Sequence, residues 1–192
     1  MTNKLELDYA PSVDNILAVL DRATPKQVVE GMNWYADAHS FARTLDRRYT
    51  RAAGIIAALS PQTSWATNRM LATRAYADGT ASGSLGASCA KADAILSGLA
   101  PLDVLGGDKV RSFFDNIARP KTSQAVTIDR HAHDIAVYQR MMSAPRQLLT
   151  RKGGYEMFAD LYREAAGTVG ILPLQVQAIT WVVWRAEGPR ND

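Results

Sequence analysis

Prolines and glycines divide this chain into short segments, and most of these segments carry apolar residues at helical spacing. The fully apolar run Ala52–Leu59 stops just before Pro61, and a proline cannot continue the hydrogen-bond ladder of a helix. Alternating patterns typical of strands are few. The spacing therefore predicts an all-α fold of about nine or ten short helices. We expect one of them, Pro25–Leu45, to be bent or interrupted near Gly31.

The size and composition of the chain limit its organisation. Its 192 residues suffice for one generous domain or for two small lobes. Hydrophobic residues make up 47% and charged residues 21%, which favours a packed globular protein over a disordered one. We predict a single domain over residues 1–192 that contains two lobes. One lobe spans about residues 45–140, and the N-terminal and C-terminal helices build the other.

The charge and the cysteine content exclude some functions and leave others open. A net charge of +3 permits a polyanionic partner without requiring one. The single cysteine, Cys89, rules out an intrachain disulfide and a cysteine-ligated zinc or iron–sulfur site. Because no Walker-type loop and no metal-binding helix motif is present, we expect no metal and no cofactor. The charged start Met1–Asp8 and the short apolar runs predict a cytoplasmic protein without a membrane segment.

The segment Ala53–Asn68 is typical of an apolar helix, a polar turn and a second helix. It resembles the helix-turn-helix of endonuclease-III-type DNA glycosylases, in which a glutamine of the turn enters the duplex beside the extruded base. The resemblance implies this role for Gln62, since an amide both donates and accepts hydrogen bonds. It also implies that Ser60, Trp65 and Asn68 contact DNA or the substrate. The alternative is a plain helix junction in which Ser60 and its neighbours only cap helices.

The stretch Val126–Ile135 contains Asp129 and, two positions later, His131. It resembles the segment that carries the catalytic aspartate of the same glycosylases, so the resemblance implies this role for Asp129. Cleavage of an N-glycosidic bond builds positive charge on the sugar, which a carboxylate stabilises, and a carboxylate can also take a proton from an attacking water or amine. The alternative is that Asp129 is the N-cap of the next helix. We expect His131 to pack beside the substrate, and His133 and Asp134 to face solvent.

The segment Leu105–Ile117 stands where these glycosylases have their helix-hairpin-helix. That motif binds a phosphate with backbone N–H groups at a helix N-terminus. The resemblance therefore implies DNA-binding roles for Gly106, Gly107 and Arg111. Asp108 departs from the family pattern, which has a second glycine there, and an acidic side chain at this position opposes phosphate binding.

Lys109 opens the helix after this turn and lies 20 residues before Asp129 (129 − 109). The spacing is similar to that between the lyase lysine and the aspartate in the glycosylase family. The resemblance makes Lys109 a candidate catalytic residue that forms a Schiff base. A plain helix-terminal lysine is the alternative.

The C-terminal segment Pro173–Arg185 predicts a helix that is apolar nearly all round. Trp181 is a candidate for stacking on a flipped base, and Gln177 for reading a base edge. Packing in the core is the alternative for both.

Three arginines, Arg43, Arg47 and Arg51, recur at intervals of four in the second predicted helix and its continuation. This spacing places them on one helical face, where they could form a strip of phosphate contacts. A solvated charged face is the alternative.

The order of these segments identifies the chain as similar to the helix-hairpin-helix DNA glycosylase superfamily, without the terminal four-cysteine iron–sulfur loop. Its details are most similar to glycosylase-related proteins of phages and actinobacteria. We expect a two-lobe, all-α enzyme that cleaves the N-glycosidic bond of a flipped, modified base in duplex or single-stranded DNA. One alternative is a phage-encoded transferase of thymine hypermodification that adds an amine or amino-acid co-substrate to an activated hydroxymethyluracil. Another is a non-catalytic nucleic-acid or protein binder.

Overall fold

The structure is a computed structural model that describes residues 10–141 and 146–188. The prediction of an all-helical chain is confirmed for this part, which contains helices and no strand. The helices are α1 (Val13–Leu20), α2 (Pro25–Leu45), α3 (Tyr49–Ala58), α4 (Trp65–Asp78), α5 (Gly86–Leu96), α6 (Pro101–Val104), α7 (Asp108–Ala118), α8 (Arg130–Ala136), α9 (Gln147–Thr150), α10 (Gly154–Val169) and α11 (Pro173–Ala186).

The chain divides into two compact units. Unit 1 comprises Met1–Met32 and Ile128–Asp192, and unit 2 comprises Asn33–Thr127. The first boundary falls inside α2, and the second falls just before Asp129. Asp129 was predicted in the lobe of about residues 45–140. It belongs instead to the unit that contains the chain's N-terminal and C-terminal segments.

Unit 1 is built on α10 and α11, which pack against each other and against α1 and α8. Phe158 and Tyr162 of α10 are completely buried in its core. Ser12 caps α1 by accepting a hydrogen bond from the backbone N–H of Asn15 at 3.2 Å. The Asn15 amide in turn donates to the carbonyl of Ala136 at 2.8 Å, which joins α1 to the end of α8.

Unit 2 is arranged around α3, which packs against α4, α5, α6 and α7. All residues from Ala52 to Ala58 are buried, as expected for a helix surrounded by others. Small residues allow this close packing, since a Cβ on Gly54 would lie 2.7 Å from the ring of Pro101. The side chain of Asn68 on α4 donates to the carbonyl of Ile56 at 3.0 Å and fixes α4 on α3.

Two helices differ from their predicted form for identifiable reasons. A helix is predicted over residues 128–141, but α8 ends at Ala136, because Tyr138 adopts a left-handed φ of 53°. The N–H of Gln139 then bonds back to the carbonyl of Asp134 at 2.9 Å, as in helix-terminating turns. The interruption expected at Gly31 was wrong, since α2 is continuous from Pro25 to Leu45.

Among the described helices, no single one is long and apolar enough to span a membrane. Together, α10 and α11 have the length and apolar composition of a membrane span, but a bend of 98° separates the two helices.

Candidate functional site

Asp129 is the N-cap of α8, so the capping role considered for it is confirmed. Its Oδ1 accepts hydrogen bonds from the backbone N–H groups of His131 at 2.9 Å and Ala132 at 2.8 Å. The backbone of Asp129 is extended, with φ −93° and ψ −174°, as is usual for a residue that precedes the first turn. These bonds use one carboxylate oxygen and leave the other available to the side chains around it.

The second oxygen of Asp129 faces α11. Oδ2 accepts a hydrogen bond from the indole N–H of Trp181 at 3.2 Å. The His131 ring lies edge-on to Trp181, with 6.4 Å between ring centroids, and the guanidinium of Arg185 lies over the same indole at 4.5 Å. The half-buried Asp129, His131 and Trp181 therefore form one cluster within unit 1, with the exposed Arg185 at its edge.

Two tyrosines of α10 anchor the segment that carries Asp129. The N–H of Ile128 donates to the Tyr155 hydroxyl at 3.0 Å, and the Tyr162 hydroxyl donates to the carbonyl of Ala132 at 2.9 Å. Complete burial raises the pKa of Tyr162 well above its ordinary value, so this hydroxyl stays a donor. The backbone is therefore anchored on both sides of Asp129, at Ile128 and Ala132, as is required of a preorganised reactive group.

The protonation of His131 is set mainly by its burial. Burial lowers the pKa of His131, and Arg130 and Arg185 act in the same direction, while the charges of Asp129 and Asp134 oppose them. The net shift is downward, so the imidazole beside Asp129 is neutral at pH 7.

We expect this shift to make folding stability depend on pH. The unfolded chain binds a proton at His131 near pH 6.5, whereas the folded chain binds it only at lower pH. The unfolded state therefore holds more protons in this window, and stability is lost as the pH falls from about 6.5 toward the folded pKa. Denaturant unfolding of wild type and His131→Asn between pH 7.5 and about 5 tests this. The wild type should lose more stability than the variant, and parallel curves would contradict the assignment.

His133 and Asp134 do not face solvent, so that prediction was wrong. Both are buried, because α8 packs against α10 and α11 and turns these residues inward. The His133 ring nitrogen Nδ1 bonds to Asp134 Oδ1 at 3.1 Å, and Arg146 donates to both Asp134 oxygens at 2.9 and 2.8 Å. Burial alone would raise the pKa of Asp134, but these hydrogen bonds from His133 and Arg146 outweigh it and lower the pKa. The buried His133 and Asp134 therefore stabilise the fold next to Asp129.

Two of the three amides predicted to contact DNA, Gln177 and Asn68, are buried. Gln177 on α11 is 5% exposed and Asn68 on α4 is 2% exposed, so neither lies on a surface that a base can reach. Asn68 instead holds α4 on α3 through the carbonyl of Ile56. Sequence reasoning could not separate these positions from exposed ones, because an amide in an amphipathic helix is compatible with either environment.

The α3–α4 turn in unit 2 presents Gln62. The Ser60 hydroxyl donates to the carbonyl of Ala57 at 2.9 Å and Thr63 to that of Leu59 at 3.1 Å, so both close the end of α3, as the helix-junction alternative holds. Gln62 itself is exposed and adopts a left-handed φ of 59°, which is uncommon for a residue other than glycine. Ser64 accepts a bond from the N–H of Thr67 and starts α4.

Residues 105–107 form the turn between α6 and α7. Gly107 caps α7 with a φ of 80°, a conformation that requires glycine here. Gly106 and Gly107 are exposed, and a Cβ on Gly106 would lie 3.8 Å from the Lys91 ammonium nitrogen. Arg111 does not project freely from this turn. It donates to the carbonyls of Leu105 and Leu102, both at 2.8 Å, and ties the turn together.

Lys109 and Asp108 occupy the first turn of α7, in unit 2. Asp108 is favourable there, because a negative charge at a helix N-terminus interacts with the helix dipole. Lys109 is half-buried, and its ammonium group has no ion-pair partner among the described residues.

The arrangement of three arginines was misjudged from the sequence. Arg43, Arg47 and Arg51 do not share a helical face, because α2 ends at Leu45 and Arg47 lies in the turn before α3. Arg51 instead pairs with Asp46 at 2.5 Å. In the described part of the chain, no group of three or more His, Cys, Asp or Glu side chains could hold a metal ion.

The described residues thus define an all-helical protein with a preorganised carboxylate at a helix N-terminus. Over residues 1–188 the chain matches the model of a family of unknown function, DUF7178, and it belongs to that family. No curated protein and no solved structure matches the chain.

Proposed function

We propose that this protein acts on a base in DNA as a glycosylase-like enzyme of the helix-hairpin-helix type, with Asp129 as its catalytic carboxylate. The observation that carries the proposal is the position of that carboxylate. Three N–H donors, from His131, Ala132 and Trp181, fix both of its oxygens, and the side chain is only half-buried. A fixed charge that a substrate can approach is the arrangement from which electrostatic catalysis benefits most.

The proposed reaction breaks the bond between C1′ of the sugar and the base nitrogen. The base leaves with the bonding electron pair, and positive charge develops on the sugar near the Asp129 carboxylate. A water molecule then forms the new bond to C1′, its proton passes to Asp129, and the departing base takes a proton from solvent. Neutral His131 beside the carboxylate adds no positive charge that would offset this stabilisation.

The α3–α4 turn supports a DNA-directed function. A non-glycine residue with left-handed backbone costs on the order of 1 kcal/mol, and such strain is typical of functional positions. Gln62 carries this conformation while its side chain stays exposed. We propose that Gln62 fills the space that an extruded base leaves, where its amide can pair with donors and acceptors.

The turn between α6 and α7 supports backbone contact with DNA. The N-terminus of α7 has no side-chain cap, so the N–H groups of its first turn are available to an anion. Lys91 adds positive charge next to Gly106, which offsets the charge of Asp108. We propose that this turn binds a DNA phosphate and that Arg111 stabilises the conformation of the turn.

A cavity of about 530 Å³ in unit 1 favours a second candidate, the transfer of an amine to an activated base. Its lining includes Lys26, Glu30 and Arg185, and it shares Trp181 with the Asp129 cluster. The two cations suit the carboxylate of an amino acid and Glu30 suits its ammonium group. In this reaction the amine nitrogen bonds to the methylene carbon of the activated base, pyrophosphate leaves with its bonding electrons, and Asp129 takes the amine proton.

A product assay tests the proposal. The protein is incubated with duplex and single-stranded DNA that carries a panel of modified and damaged bases, with and without an amino acid. Free bases and residual nucleosides are then identified by mass spectrometry. A released base supports the glycosylase, whereas a mass gain on an activated thymine derivative, without base release, supports the transferase. Absence of both products contradicts a catalytic role for Asp129 and leaves the non-catalytic binder.

Trp181→Phe is expected to slow product formation by about tenfold or more, because a hydrogen bond to a charged group contributes about 1.5–3 kcal/mol. The change removes the indole N–H that positions Asp129 Oδ2 and keeps an aromatic ring at the site. Trp184→Phe is a matched control on the same helix, since its buried indole nitrogen has no hydrogen-bond partner among the described residues. Single-turnover rates at saturating DNA provide the measurement, and equal rates for the two variants would count against the positioning role.

A further inference from the structure

A second cavity lies within unit 2, against α2 and α4, and the proposed function does not use it. Its volume is about 440 Å³, within the range of small-ligand sites. It is lined by Asp37, Ser40, Phe41 and Thr44 of α2 and by Trp65 and Arg69 of α4. We refer to these six residues as the α2–α4 groove.

The groove has an aromatic wall that carries a cation. Phe41 and Trp65 lie edge to face, with 6.0 Å between their ring centroids, and both are half-buried. The Trp65 ring also contacts the Trp34 ring, with 5.2 Å between their centroids. The Arg69 guanidinium lies over the Phe41 ring at 4.7 Å. The wall therefore offers one rigid indole for stacking and one positive charge beside it.

Most polar side chains of the groove form no hydrogen bond or ion pair with the described residues. The exposed side chains of Asp37 and Ser40 make no hydrogen bond with any described residue, and Arg69 forms no ion pair there. Thr44 differs, because its hydroxyl donates to the carbonyl of Phe41 at 2.7 Å. The Asp37 carboxylate and the Arg69 guanidinium thus line the groove beside the aromatic wall without a hydrogen-bond or ion-pair partner among the described residues.

We propose that the α2–α4 groove binds one unpaired nucleotide of single-stranded DNA. The base stacks on Trp65, the Asp37 carboxylate accepts from N–H donors on the base edge, and Arg69 contacts the adjacent phosphate. The indole thus matches the face of a base, the carboxylate matches N–H donors on the base edge, and the guanidinium matches a phosphate. The inference extends the proposed function and does not depend on turnover.

The choice of base follows from Asp37. A carboxylate only accepts hydrogen bonds, so it suits the N4 amino group of cytosine. Thymine presents a carbonyl oxygen at the same position, which the carboxylate repels. We therefore expect the groove to bind oligo-dC more tightly than oligo-dT of the same length, and Asp37→Asn to remove that preference.

Fluorescence anisotropy with short, labelled oligo-dC and oligo-dT tests the proposal on the full chain. Trp65→Ala and Arg69→Ala are each expected to weaken oligo-dC binding, by about tenfold for Trp65 according to the usual value of base stacking. Arg69→Ala should also lower the steepness of the salt dependence by about one phosphate contact. Arg74→Ala, an exposed arginine five residues further along α4 that pairs with Asp78, is the matched control and should bind as wild type does.

Loss of Trp65 can also affect packing, because it contacts Trp34. Arg69→Ala and Asp37→Asn change exposed side chains only, so they keep the test independent of folding, and melting curves verify this. If Arg69→Ala binds as tightly as Arg74→Ala, or if wild type does not bind the oligonucleotides, the proposal is overturned. Asp129→Asn should bind unmodified oligo-dC normally, so a failure of the proposed catalysis and a failure of this groove give different results.

Discussion

Asp129→Asn is expected to lower the rate of base-directed turnover by about 10²- to 10⁴-fold, the usual contribution of a positioned acid–base group. The change removes the negative charge and the proton acceptor but keeps a side-chain oxygen. Asparagine caps helices about as well as aspartate, so α8 should still begin at Arg130. We therefore expect a large loss of activity with little loss of stability, measured by single-turnover kinetics and thermal melting.

Two comparisons make this result specific to the carboxylate. Asp14→Asn removes an exposed acidic side chain from the first turn of α1 in the same unit and should leave the rate unchanged. Asp129→Ala removes both the charge and the cap, so it should lose activity and also about 1 kcal/mol of stability. If Asp129→Asn turns over as fast as Asp14→Asn, then Asp129 is only a helix cap.

Gly31→Ala is expected to destabilise the protein by about 1–3 kcal/mol, or roughly 2–12 °C in melting temperature. A Cβ on Gly31 would lie 2.5 Å from the Cα and 2.6 Å from the backbone nitrogen of Ile179. Backbone atoms of a packed helix cannot rotate away as a side chain can, so α2 and α11 must separate locally. Thermal and denaturant unfolding provide the measurement.

Gly167→Ala is the matched control for this prediction. Gly167 lies within α10 of the same unit, and a Cβ there would have no atom within 4 Å. Alanine favours a helix over glycine by about 0.5–1 kcal/mol, so this substitution should stabilise the protein slightly. A Gly31→Ala protein as stable as Gly167→Ala would show that α11 does not approach α2 as described.

Gly31 also shows why some of the fold could not be predicted from the sequence. A glycine in the middle of a helical pattern indicates a bend or a break if only local propensity is considered. Its actual reason is a neighbour distant in the sequence, Ile179, which requires the absence of a side chain. The helices that depend on local signals were predicted more closely. For example, α2 begins at Pro25 and ends at Leu45, as predicted.

The candidate site shows the same division between local and distant information. The capping role of Asp129 was predictable because an N-cap is defined by the residues that immediately follow it. Its contact with Trp181 joins positions 52 residues apart, and no local pattern in the sequence indicates it. The inward orientation of His133 and Asp134 was mispredicted for this reason, since it depends on where α10 and α11 pack.

A paired measurement tests whether Asp129 catalyses a reaction on a base in DNA. Wild type and Asp129→Asn are incubated in parallel with DNA that contains the modified-base panel, and products are quantified by mass spectrometry while DNA binding is followed by anisotropy. We expect a base product or a modified thymine with wild type, little or none with the variant, and similar DNA affinity for both. Equal product from both proteins, or no product from either, would contradict this expectation.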